Sequence, residues 1–373
     1  MNDILGIGIT GTTLTDLERS IIRDTPPYGI VLFGRNVGDA IQLRDLIAEI
    51  KQIAPVPPLF MIDEEGGRVD RLRNLIKGLP SVESFGEGDD AAMLAEWHGR
   101  VIGMALRWLD IEVNLAPVVD VRGVQSPKGL ERRTFGADAE SVVALAAAFM
   151  RGQDSAGVAS CLKHFPGIGT GSADPHYGAT VIDVSADELH QRDLVPFTRL
   201  GNAAQAVMIG HGTYPQIDSD NPASLSVAIT TTLLREGIGF TGVTMSDDME
   251  MHAVSDLGSY EYTAERALMA GNDVVMYCSH IERMPELERY LRKRIAESDS
   301  VRDRFNHALV HAARYREHCR TLRAASAPPP SWDAVIEEAS RFVDAFTKAR
   351  RMTESAPEPA PRTGDRTGRE EWT

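Results

Sequence analysis

The chain is expected to fold as an α/β protein, a TIM-type (β/α)8 barrel with extra C-terminal helices. Three observations predict this. Short apolar runs recur eight times before about residue 280, those runs show little polar alternation, and ionisable side chains gather where the runs end. Unbroken Val/Ile/Leu runs suit strands covered on both faces, as parallel strands are. Eight β/α repeats close into a barrel, and strand exits are where such barrels carry their chemistry.

In chain order the runs are Ile4 to Ile9, Gly29 to Phe33, Leu59 to Ile62, Val113 to Ala116, Ala159 to Leu162, Ala206 to Ile209, Val243 to Met245 and Val274 to Tyr277. Residues 39–52, 89–109, 139–156, 186–200 and 260–270 have helical spacing and suit covering helices. An open doubly wound sheet fits less well, because no G-x-G-x-x-G follows the first run. After the barrel a helical pattern continues to about 323, then come Pro328-Pro329-Pro330 and a further helical stretch, 333–348. The trailing helices are expected to pack against the barrel's side. This divides the chain into a barrel domain with a trailing helix (1–323), a Pro-rich linker with a packing helix (324–350) and a tail (351–373) expected to be disordered. The tail's Pro, Thr, Gly, Glu and Arg leave little apolar surface to offset ordering entropy.

Composition narrows the function. The 373 residues are 43% hydrophobic and 25% charged, ordinary for a globular protein, and the net charge of −15 disfavours a nucleic-acid groove or an anionic membrane as partner. Cys161, Cys278 and Cys319 are far apart and lack C-x-x-C spacing, so buried free thiols in a reducing compartment are expected rather than disulfides or a thiolate metal site. The N-terminus lacks a secretory signal pattern, and no apolar run of about eighteen residues occurs, so a cytoplasmic location without membrane insertion is expected.

The richest segment runs from Lys163-His164-Phe165-Pro166-Gly167 to Asp174-Pro175-His176, a strand end followed by a Gly-rich loop. Ser246-Asp247-Asp248 ends another run. A carboxylate there faces the mouth, where an aspartate could attack an anomeric carbon, although Asp247 or Asp248 could instead cap the next helix. His176 is a candidate general acid/base, its tautomer set by Asp174; an exposed loop histidine with no role is the competing reading. Asp63 ends the third run, where a short carboxylate suits vicinal sugar hydroxyls and Gly66-Gly67 permits a tight turn. Lys163 at a mouth needs a partner or ligand. His164 could equally be a satisfied structural histidine, and Arg71 and Arg133 could form a surface ion-pair cluster. Asp120 and His211 also lie near strand ends.

Lys163-His164-Phe165-Pro166-Gly167, Asp174-x-His176, Ile62-Asp63-x-Glu65-Gly66-Gly67-Arg68, Asn114-Leu115-Ala116-Pro117-Val118-Val119-Asp120 and Ser246-Asp247-Asp248 occur in an order that resembles the bacterial β-N-acetylglucosaminidases of glycoside hydrolase family 3. The resemblance runs from about residue 5 to 280. It implies a nucleophilic Asp247, His176 as acid/base with Asp174, and sugar contacts at Asp63, Arg71, Arg133, Lys163 and His164. It further implies removal of terminal N-acetylglucosamine from cell-wall (muropeptide) fragments, with a small carbohydrate as partner and no cofactor or metal. Some members carry a second domain that supplies a carboxylate; this chain is too short after the barrel, which points to the loop after His164. Ile168 stands where the family often has histidine, Pro175 where a small hydroxyl residue is usual, and Glu64 where glutamine is common. Proline restricts the backbone beside His176.

Other readings remain open: a β-glycosidase or glycoside phosphorylase of different specificity, or a catalytically silent sugar-binding barrel. A metal-dependent barrel hydrolase would need a His-rich shell, and the first run continues as Gly8-Ile9-Thr10-Gly11-Thr12 without one. Oligomeric state is not legible.

Overall fold

The computed structural model describes residues 4–86, 89–173 and 180–354. Eight parallel strand positions form the barrel: β1 Leu5–Gly8, β2 Gly29–Leu32, β3 Leu59–Ile62, β4 Val113–Asn114, β5 in two segments, Ala159–Ser160 and Leu162–Phe165, β6 Ala206–Ile209, β7 Val243–Asp248 and β8 Val274–Tyr277. The two segments of β5 lie at opposite ends of the hydrogen-bonded order, one paired with β4 and the other with β6. The ladder therefore closes on itself. Lys163 and His164, expected at the end of a strand over 159–162, instead lie within the second segment, which extends the run to Phe165.

Alternation along these strands sorts the core into two clusters. Val31, Met61, Val113, Ala159, Cys161, Met208, Met245 and Met276 pack together inside, while Ile30, Leu32, Phe60, Ile62, Val207, Ile209 and Val275 face the covering helices. Tyr315, Ala312 and Cys319 join the interior cluster. They come from the long helix Asp299–Ala325, whose residues lie across the N-terminal ends of the strands: Tyr28 Oη donates to Ala312 O at 3.2 Å and Tyr315 Oη to Ser160 O at 3.3 Å. The expectation that this helix lies against the barrel's side is corrected. It plugs the base, because a closed barrel with Gly6, Ala159 and Ala206 at its lower end leaves volume that large side chains must fill. All three cysteines belong to this interior cluster as free thiols.

The helices Ala40–Ile53, Asp89–Leu109, Ala139–Ala156 and Tyr260–Ala270 lie where periodicity places them. The stretch expected as one helix over 186–200 is interrupted: a short helix, Ala186–Glu188, leads into a π-type turn, Leu189–Asp193, before Val195–Ala204 begins. Pro196, which lacks a backbone donor, sits at the start of that last helix. Asp16–Asp24 is a helix that hydrophobic spacing missed; its signal is the Thr15/Glu18 capping box. The C-terminal helix is Trp332–Glu354, and the rest of the expected tail lies outside the described residues. Among the described residues no helix is long and apolar enough to cross a membrane.

Candidate active site

One cavity of about 470 Å³ opens among the strand exits, and Asp63, Arg71, Arg133, Lys163, His164, His211 and Asp247 all line it. The fold thus gathers side chains up to 184 residues apart, from Asp63 to Asp247, around one space.

On the β3 side, the chain turns sharply after Asp63. Gly66 and Gly67 take left-handed φ values of 80° and 61°, and a Cβ on Gly66 would stand 2.7 Å from both His98 Cε1 and the Pro80 carbonyl oxygen. Glycine is required there on both counts. Asn114 at the end of β4 steadies the exit, accepting from the Glu64 amide at 2.9 Å and donating to the Glu64 carbonyl at 2.8 Å. Glu64 points away from the cavity and accepts from the amides of Arg71 and Leu72 at 2.7 and 2.9 Å. Burial, reinforced by the nearby Asp70 carboxyl, raises its pKa well above the usual range.

Lys163, 2% exposed, is the hub of this side. Its Nζ lies 2.6 Å from Asp63 Oδ1 and 2.7 Å from Glu65 Oε1. Burial would neutralise the ammonium, but the charges of Asp63 and Glu65 outweigh it and the pKa is raised. Arg133 meets Glu65 through two parallel bonds of 2.8 Å, Nε to Oε2 and Nη2 to Oε1, and Arg71 Nη2 stands 3.9 Å from Asp63 Oδ2. Burial opposes the charged form of Glu65, yet Lys163 and Arg133 together hold its pKa near 2. Arg133 is therefore ion-paired, as the competing reading allowed, but at the cavity wall rather than on the surface. Glu65 is the member that sequence reasoning missed; its signal was only its position in the quoted Asp63-x-Glu65 motif.

On the β5 side, fully buried Asp120 accepts from His164 N at 3.2 Å, His164 Nδ1 at 2.8 Å and the Ile168 amide at 2.8 Å. An ionised carboxylate only accepts, so Nδ1 carries the proton and Nε2 is left for the cavity. Asp120 lies beneath the site and orients His164. His211 has the opposite tautomer: Nε2 meets the carbonyl of Asp248 at 2.9 Å and must donate, while Nδ1 meets Ser224 Oγ at 2.7 Å. Burial lowers the His211 pKa.

The two neighbouring aspartates separate cleanly. Asp248 Oδ1 accepts from the amides of Glu250 and Cys278 at 3.1 and 3.2 Å, and burial pushes its pKa up to about 6. Asp247 lines the cavity and accepts the Asp248 amide on Oδ1 at 2.8 Å. Burial works against its charge, but His211, His164, the Asp248 amide and Lys163 prevail, and its carboxyl is held below the usual carboxylate range. Asp174 and His176 lie outside the described residues, as does Pro175.

Such a set can bind a polyol and keep one carboxylate ionised beside it. Comparison with known proteins agrees in kind. Residues 7–314 match the model of the glycosyl hydrolase family 3 N terminal domain. A protein named β-hexosaminidase from Stenotrophomonas maltophilia (strain K279a) is 38% identical over 281 residues, covering 74% of this chain and 83% of that protein. The structure of a glycoside hydrolase family 3 β-N-acetylglucosaminidase from Paenibacillus sp. str. FPU-7 superposes with a TM-score of 0.82 at 30% identity, over 91% of this chain and 67% of that one. NagZ from Neisseria gonorrhoeae, solved in complex with N-trifluoroacetyl-D-glucosamine, gives 0.72 at 29% identity, over 92% and 97% of the two chains.

Proposed function

The chain belongs to glycosyl hydrolase family 3, and from that premise we propose that it is a retaining exo-β-N-acetylglucosaminidase. It releases terminal N-acetylglucosamine from cell-wall muropeptide fragments in the cytoplasm. The observation that carries the reading is the shared cavity: an ionised Asp247 faces the same space as Lys163, His164, Asp63, Arg71 and Arg133. The sugar named in the related proteins supports the substrate.

In the first step an Asp247 oxygen bonds to the anomeric carbon as the glycosidic C–O bond breaks, and the leaving oxygen takes a proton from His176. In the second, water adds at the same carbon, its proton goes to His176, and the bond to Asp247 breaks, so the β configuration is retained. Asp174 orients His176. Lys163 has three donors, of which Asp63 and Glu65 occupy two, leaving one for a sugar hydroxyl. His164 Nε2 supplies another contact, and Arg71 and Arg133 complete the binding wall. The catalytic unit is the barrel with its trailing helix (1–323), followed by a linker and packing helix (324–350, the helix itself running on to Glu354) and the remainder of the 351–373 tail, without a catalytic part.

The test is turnover of aryl β-glycosides of N-acetylglucosamine, glucose and xylose, with and without phosphate, followed by inactivation with a fluorosugar. Release of β-N-acetylglucosamine independent of phosphate, with the adduct on Asp247, supports the proposal. A phosphorylated product, a preference for glucose or xylose, or an adduct elsewhere overturns it.

A further inference from the structure

The helix Trp332–Glu354 lies beyond the stretch matched by the family model, which ends at residue 314. Its residues Val335, Ala339, Phe342 and Phe346 recur at helical spacing along one face and are all buried. That face meets the helix Asp89–Leu109 and the residues after β3. Phe342, fully buried, places its ring centroid 5.5 Å from Trp97, 5.4 Å from His98 and 6.3 Å from Phe85. Phe346 lies 5.9 Å from Phe85.

His98 connects this packing to the site. Burial lowers its pKa to about 3, so the ring is neutral and acts as an aromatic wedge. The wedge lies directly beneath Gly66, with Cε1 and Nε2 only 2.7 and 2.8 Å from where a Cβ would project. Gly66 follows Glu65, which holds Lys163 and Arg133. Polar links clamp the same helix. Glu338 Oε1 accepts from Trp97 Nε1 at 2.8 Å and Arg100 Nη2 at 2.5 Å, and Lys77, in the segment leading back from the site, pairs with Asp344 at 2.5 Å.

We propose that Phe342, on the C-terminal helix, is a positioning residue for the sugar-binding turn 63–71, acting through His98 and Gly66. Its effect on sugar affinity rests on the reading of the site as a glycosidase; its effect on the turn does not. The helix sets the height of Glu65, and with it the cations that meet the sugar. Asp247 stands on β7, outside these packing contacts, and is linked to them only through the charge of Lys163.

Phe342→Ala and Phe342→Leu in the full chain test this, the milder Leu variant keeping the test readable if Ala does not fold. Hydrogen exchange and steady-state kinetics are read well below each variant's melting temperature. Exchange should quicken in peptides spanning 63–80 and stay at the parent's rate in peptides spanning 243–250. KM for an aryl N-acetyl-β-glucosaminide and Ki for N-acetylglucosamine should rise together, by about 3- to 10-fold for Ala and less for Leu, with kcat within about twofold. A lower melting temperature with parental exchange in 63–80 overturns the proposal and reduces Phe342 to an anchor. So does quicker exchange with unchanged KM and Ki. If the parent itself turns over no N-acetylglucosaminide, quicker exchange in 63–80 still upholds the positioning of the turn, and it is the substrate reading that fails.

Discussion

Two buried ionic clusters lie at opposite ends of this barrel. At the mouth, Lys163 and Arg133 meet Asp63 and Glu65, and Asp247 lines the same cavity as Asp63, Arg133 and Lys163. At the base, fully buried Asp273 accepts from the Thr244 amide at 3.0 Å, Arg304 at 2.7 Å, His311 at 3.1 Å and the guanidinium of Arg235. Burial opposes the charge of Asp273 as it does that of Asp247, and in both cases the surrounding donors win and the pKa is lowered. A depressed carboxylate therefore does not by itself mark chemistry. Asp273 spends its acceptor capacity on the protein, tying β8 to β7 and to the base helix. Among the described residues, Asp247 commits one oxygen to its neighbour's amide, and it turns toward a cavity. Unspent valence beside open volume distinguishes the site from the strut.

The largest expected effect separates the two ends. Asp247→Ala should lower kcat by about 10⁴-fold or more while leaving the melting temperature near the parent's. Retained turnover, or collapse of the fold, would erase the distinction. His176→Ala should slow poor leaving groups by about 10²- to 10⁴-fold and activated aryl groups far less, since a phenolate departs without a proton. Equal losses across a leaving-group series would assign the loop a shaping role only. At the base, Asp273→Ala takes the shared carboxylate from two partly buried arginines and should cost about 3–5 kcal/mol of stability, with KM unchanged in whatever remains folded. Denaturant titration beside kinetics checks this, and a shifted KM with full stability would contradict it.

The smallest effect concerns pH within the mouth cluster. Glu65 has its pKa drawn from 4.5 to about 2, so folding favours its charged form. The stability it contributes is fully present above about pH 4.5 and is lost as pH falls towards 2. Parent and Glu65→Gln should therefore differ by on the order of 3 kcal/mol at neutral pH, with the gap narrowing below pH 4.5. A gap that stays constant with pH would mean the pairs with Lys163 and Arg133 contribute through packing alone.

Much of this was legible before the fold was known. Eight apolar runs lie where barrel strands stand, because the pattern of a doubly covered strand is a local property of a few consecutive residues. Asp63, Lys163, His164 and Asp247 could be picked out because strand ends converge on one face of a barrel, so position along the chain already implied proximity. Gly66-Gly67 likewise announced its turn. Other features depended on partners that spacing cannot supply. Lys163 finds Asp63 at a separation of 100 residues, and nothing near either one specifies Glu65 as the shared anion. Which of Asp247 and Asp248 faces the cavity depends on amides from Glu250 and Cys278, the latter just past the end of β8. Asp120 looked like any other strand-end carboxylate until its three donors placed it beneath His164. The base helix and the C-terminal helix showed their apolar faces in sequence, but a face says only that something must cover it. Closure of the barrel decided what: Tyr315 fills its lower end, and Phe342 reaches the ring under Gly66. Local pattern determined the elements and their polarity, whereas long-range packing and charge pairing, which need the closed chain, decided which side chains became the site and which its support.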